Sequence, residues 1–310
     1  MTQNTASSLE VLAPAGSLEH VEAAIAAGAD AFYVGLKGLG ARPNPWNLDL
    51  DEIETATSLA HSSGRRIHVA LNAEFHTRQD TYVREAIARM SAVDVDALIV
   101  GDFGLLYFLK QIDNPIPIHA STLLGIYNPE GMRFLNQLYG VTRLVLNTGL
   151  FLDEIIALHF HCPEIELELI AYGGVCFNDN RRCRQPHYLF EGEYCVGCKQ
   201  LYEVYPTQET VIPLPEVSKV ASQVRPPDVP IGGERLIWSP EVDLTGQIGL
   251  FARAGIVSFK IEGRTRAVDY VTMSTSKMRA AVDRLKTDAV YQDSELAPYY
   301  YLGHHAVLHS

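Results

Sequence analysis

No run of apolar residues in the sequence approaches the roughly 20 that a helix needs to cross a bilayer, and the opening residues, MTQNTASSLE, hold neither a basic stretch nor an apolar signal core. A membrane span is therefore not expected, and the chain reads as cytoplasmic. Positive charge is also scarce. Lys and Arg number 25 against 37 Asp and Glu, for a formal net charge of -12. A phosphate backbone would repel such a chain unless its basic residues gathered on one face. Nucleic acid is thus read as a disfavoured partner and a small molecule as the favoured one. Cysteines are few and odd in number, five in all, and in a reducing compartment they do not read as a disulfide framework. The HExxH and G-x-S-x-G patterns are missing, which removes two common sequence signs of hydrolytic machinery.

What is present is a rhythm. Apolar, β-branched-rich runs fall at 9–14, 31–36, 66–72, 97–102, 116–121, 143–147, 164–173 and 257–263, and amphipathic stretches separate them. Ser17 and Asp49 stand where helix caps belong, with Gly28 and Gly64 at the corresponding ends. Further helices are predicted at 80–92, 103–112, 128–139, 151–160, 241–255 and 266–286. Eight such units make the fold class α/β, a TIM-type (β/α)8 barrel. The predicted boundaries are a disordered N-terminus at 1–8, the barrel at 9–287 and a C-terminal tail at 288–310. A cysteine-rich insertion occupies 174–240, after the seventh strand. The βα loops of such barrels form the catalytic face, so the insertion is expected over the pocket. A separate zinc ribbon attached to the barrel is the alternative.

Inside the insertion the pattern is Cys176-x6-Cys183-x11-Cys195-x2-Cys198. Four thiolates suit a structural zinc or an iron-sulfur cluster. Only the second pair has the tight zinc-knuckle spacing, which favours iron-sulfur over zinc; four cysteines without a metal remain the bland reading. Arg181, Arg182, Arg184 and Lys199 crowd these cysteines and would favour their thiolates. Cys162 lies apart, before the seventh strand, and reads as a buried thiol.

Polar residues at the predicted strand ends are the candidates for chemistry: Lys37, Arg42, Asn72, Glu74, His76, Asp102, His119, Ser121, Asn147, Lys260, Glu262 and Arg264. Of these, Lys260, Glu262, His119 and Asn72 are the candidate catalytic residues. Alternate residues of a strand share a face, so Lys260, Glu262 and Arg264 are expected to look into the barrel, as pocket groups or as a buried ion-pair network. His119 reads equally as a satisfied core histidine. Arg42 and Arg264 are expected to hold a carboxylate, because the guanidinium fork matches it with two hydrogen bonds; otherwise Arg42 merely solvates a loop.

Three segments, LAPAGSLEHVEAAIAAGADAFYVGLK, YGGVC-x6-C and VSFKIEGRTRAVDYV, run in order over residues 9 to about 286. They resemble the collagenase-like proteins classed as peptidases of unknown catalytic type. That family includes the UbiU and UbiV partners of oxygen-independent ubiquinone biosynthesis and enzymes that hydroxylate tRNA or ribosomal RNA. The resemblance implies a 4Fe-4S cluster and an oxygen donor other than O2, prephenate in characterised members. By context, Cys176 and Cys183 match the family's first two cluster cysteines, and Cys195 and Cys198 fill the role of the later pair at a tighter spacing. Where UbiU-like members carry a further cysteine, this chain has Thr245. The expected function is O2-independent hydroxylation of a small aromatic or quinone precursor, with a paralogous partner subunit as a further expectation. A collagenase-like peptidase, a non-catalytic cluster-bearing partner and an RNA hydroxylation protein are the alternatives.

Overall fold

A computed structural model of the protein describes residues 9–42, 44–174, 201–203, 234–236 and 241–287. Eight parallel strands close into a barrel: β1 (Glu10–Pro14), β2 (Ala31–Gly35), β3 (Arg66–Leu71), β4 (Ala97–Val100), β5 (Ile118–Ala120), β6 (Val141–Val145), β7 (Glu166–Gly174) and, after three short strands, β11 (Ile256–Ile261). Each pairs with its chain neighbour, β11 lies between β7 and β1, and the β6–β7 pairing completes the ring. Nearly every residue of β1 to β5 is buried. Side chains on one strand face meet the helices and those on the other fill the barrel, so these strands read as near-continuous apolar runs.

The helices are α1 (Leu18–Ala26), α2 (Leu50–Ser62), α3 (Asp80–Ala92), α4 (Phe103–Gln111), α5 (Pro129–Tyr139), α6 (Leu152–His161), α7 (Ile248–Arg253) and α8 (Val268–Thr287). Their ends follow local chemistry. Ser17 accepts from the His20 amide, and Asp49 and Glu52 form a reciprocal capping box. Gly28 and Gly64 take the positive φ values that let the chain turn off its helix.

One predicted element is corrected. The helix expected over 241–255 is instead β10 (Glu241–Asp243), paired antiparallel to β7, followed by a turn and the six-residue α7. The Asp243 carboxylate accepts from both the amide and the hydroxyl of Thr245, a local bond that competes with helix. The pairing partners, Tyr172–Gly174, are far away in sequence, so local periodicity carries no trace of them. The eighth strand also stops at Ile261, which leaves Glu262 and Arg264 on the loop beyond it.

Most of the insertion, with Cys176, Cys183, Cys195 and Cys198 and their basic neighbours, lies outside the described residues, as do the first eight residues and the tail. From the insertion, β8 (Leu201–Glu203) and β9 (Glu234–Leu236) are described as an antiparallel pair. No described helix is long and apolar enough to cross a membrane.

Candidate functional site at the barrel mouth

The loop after β2 carries Arg42 to the C-terminal end of the barrel, and two asparagines fix its path. Asn72, just beyond β3, accepts from the Ala41 amide at 2.9 Å. Asn47 donates to the Arg42 carbonyl at 2.7 Å and accepts from Arg264 Nη1 at 3.2 Å. The loop therefore ties Arg42 to Arg264 through one buried amide. Gly35 makes this possible. A Cβ there would collide with Asn47 Oδ1 and Arg264 Nη1.

Glu262 is the anion of the site. Arg42 Nη2 donates to one carboxylate oxygen at 2.7 Å, and the Tyr33 hydroxyl donates to the other at 3.0 Å. Burial alone would raise the Glu262 carboxyl, but Arg42, Arg264 and the Tyr33 hydroxyl outweigh it and bring the group down to about 2. The carboxylate is ionised at neutral pH. Burial, and then Glu262 itself, push the Tyr33 hydroxyl well up, so Tyr33 stays a proton donor. Arg264 is 3% exposed, with its guanidinium 5.5 Å from the Tyr33 ring centre, and its Nε has no hydrogen-bond partner. Burial followed by the like charge of Arg42 lowers its pKa. Among the described residues, two guanidiniums thus lie near the Glu262 carboxylate.

Lys260, one inward position deeper, is engaged elsewhere. Its ammonium donates to Glu168 Oε1 at 2.8 Å and lies 4.2 Å from the Tyr33 ring centre. Below it, at the N-terminal end of the barrel, Arg143 bonds Glu10, Glu166 and Glu168, and Ser258 donates to Glu10. His68 and His119 pack edge to face beside this network, ring centres 4.8 Å apart. Burial first, and then neighbouring Arg143 and, for His119, His68, hold both imidazoles well below their usual pKa. Both are neutral at pH 7.

The strand-end candidates thus separate by role. Arg42, Glu262 and Arg264 come together with Tyr33 and Asn47, and Asn72 positions their loop. Lys260 and His119 belong to the deeper polar interior. Lys37 pairs with Asp49 and Glu52 at the start of α2, Asp102 caps α4, Ser121 caps a turn after β5, and Asn147 donates to the Thr122 carbonyl. His76 is exposed, and the amide of His76 is held by Gln79. Cys162 is buried, as expected of the cysteine that lies apart from the other four.

Tyr33, Asn47, His68 and Glu168 are the residues that reading the sequence passes over. A signal exists for some of them. Arg66 and His68, and Glu166 and Glu168, are polar residues at alternate positions of otherwise apolar strands, and that period puts each pair on one strand face, with His68 and Glu168 buried in the barrel and Arg66 and Glu166 exposed at its end.

The model of peptidase family U32 matches residues 16–301. The chain belongs to that family. Among curated relatives, a 23S rRNA 5-hydroxycytidine C2501 synthase of Escherichia coli is 31% identical over 283 residues, covering 89% of this chain and 40% of the relative. A tRNA hydroxylation protein P of the same organism is 25% identical, covering 88% of this chain and 68% of the relative. A collagenase of Porphyromonas gingivalis is 24% identical, covering 84% and 62%. The chain thus spans only part of these proteins. A solved U32 peptidase superposes with a TM-score of 0.51 at 16% identity, over 82% of this chain and 93% of that one. That likeness supports the barrel fold.

Proposed function

We propose that this U32 chain is a hydroxylation-type enzyme whose barrel mouth receives a carboxylate-bearing small molecule, with prephenate as oxygen donor, between Arg42 and Arg264. The observation that carries the reading is the gathering of two guanidiniums at the mouth: among the described residues Arg42 pairs with Glu262, Arg264 is held by Asn47 with its Nε unpartnered, and Lys260 is neutralised by Glu168. Guanidiniums gathered in a partly buried site attract an anion. The planar forks match a carboxylate, and Tyr33, held protonated, keeps its proton on Glu262 and fixes that carboxylate beside Arg42. Cys176, Cys183, Cys195 and Cys198 would hold a 4Fe-4S cluster, with zinc as the alternative; their spacing favours iron-sulfur, and the family resemblance implies the 4Fe-4S type. The acceptor is a small aromatic or quinone precursor, and a paralogous subunit is the expected partner.

The names of the relatives favour a second reading, in which the acceptor is RNA. Both readings keep the anion site. The test is anaerobic incubation of iron-loaded protein with prephenate and either quinone precursors or rRNA and tRNA, followed by mass spectrometry. Gain of one oxygen by a quinone precursor, lost in Cys176→Ala, supports the first reading. Gain by RNA alone moves the assignment to the second. Collagen cleavage by iron-free protein, with no oxygen gain in either acceptor, overturns both.

A further inference from the structure

Inside the barrel, below the mouth residues, His68, His119 and Glu168 converge. Each offers one ligand atom, and the three atoms lie within 4.8 Å of one another, all on buried residues. They come from β3, β5 and β7, three separate strands of a closed ring. His119 lies one inward position deeper than Ser121, and His68 two deeper than Asn72, so the group sits below the mouth. Ala70 and Ile170, each one inward position nearer the mouth, lie above His68 and Glu168 and belong to or pack on the small apolar cluster inside the barrel.

Two features need explaining. His68 Nδ1 and His119 Nδ1 are both buried and have no hydrogen-bond partner. An unpartnered buried polar atom costs about 1–3 kcal/mol, and here two of them belong to imidazoles grouped with one carboxylate. Two neutral imidazoles and a carboxylate are also the donor set that zinc and ferrous enzymes use, with the remaining coordination positions open.

We propose that His68, His119 and Glu168 bind one first-row divalent cation of the zinc or ferrous type, separate from any cluster held by the cysteines. Zinc bonds of about 2.0–2.1 Å place tetrahedral ligand atoms roughly 3.3 Å apart, so side-chain rotation has to close a gap of about 1.5 Å at most. Lys260 and Arg143 both touch Glu168. A carboxylate has lone pairs enough to accept from them and still ligate, and hydrogen bonds of this kind commonly orient a ligating carboxylate. Their positive charges weaken the site. The cation is therefore expected to bind more loosely than in an all-anionic cage, and to enter during folding, since all three ligands are buried.

The test is zinc content by elemental analysis of the full chain, expressed with zinc and desalted without chelator. Wild type is compared with His119→Gln, His68→Gln and Glu168→Gln, each checked for folding by circular dichroism. All variants retain the five cysteines, so metal held there cancels in the comparison. His119→Gln is the decisive variant, because its ring nitrogen Nδ1 has no partner to lose. The expected result is one equivalent of zinc fewer in folded His119→Gln than in wild type. Equal zinc content in wild type and folded His119→Gln overturns the site. Should His68→Gln or Glu168→Gln unfold, the His119→Gln comparison alone decides, and it does not depend on any activity.

Discussion

Lys260 on β11 and Glu168 on β7 form a buried ion pair, 2.8 Å from Nζ to Oε1, with Glu168 wholly excluded from solvent. Glu168 also meets Arg143, so the pair joins the eighth barrel strand to the charged layer at the barrel's N-terminal end. Removing one member leaves the other charged and dry, which costs about 3–5 kcal/mol. Lys260→Met is expected to lower the urea midpoint accordingly. Lys260→Met combined with Glu168→Leu is expected to recover most of the loss, since no orphan charge remains. A midpoint unchanged in the single variant would mean that the pair does not form.

Glu262 gives a dependence on pH. Its carboxyl sits at about 2 in the folded protein against an ordinary value of 4.5. The folded state therefore binds fewer protons than the unfolded chain in that window. Stability from this group is full above pH 4.5 and is lost as pH falls toward 2. At 1.36 kcal/mol per unit the contribution is about 3 kcal/mol. Urea denaturation at stepped pH should show Glu262→Gln losing less stability than wild type between pH 4.5 and 2. Parallel curves for the two proteins would show that Arg42 and Tyr33 do not stabilise the carboxylate.

Gly35 is needed for space. Its missing Cβ leaves room for both Asn47 Oδ1 and Arg264 Nη1. Gly35→Ala forces these groups apart, with an overpacking cost of about 1–3 kcal/mol. The melting temperature should fall by several degrees, and binding at the mouth should weaken with it. An unperturbed melting temperature would mean that Asn47 and Arg264 move aside freely.

Much of the barrel is legible in the sequence because each strand and helix carries its own local signal. Apolar β-branched runs mark the strands, and Ser17, Asp49, Gly28 and Gly64 mark helix ends with side-chain or backbone chemistry of their own. β10 is not legible, because its strand form depends on Tyr172–Gly174, and its local residues resemble the helix that follows. The mouth divides the same way. Arg42, Glu262 and Arg264 stand out as charges near strand ends. Tyr33 and Asn47 do not, because their roles come from contacts with residues more than 200 positions away. Lys260, Glu262 and Arg264 follow one alternating pattern, yet strand and loop direct them differently: Lys260 ends inside the barrel, the other two at its rim.

The anion site at the mouth is tested most directly by isothermal titration of prephenate into wild type, Arg42→Ala and Arg264→Gln at low and high salt. Binding to wild type that weakens with salt, and that falls at least tenfold in each variant, is the expected result. No binding to wild type, or equal affinity in all three proteins, would contradict a carboxylate site between Arg42 and Arg264.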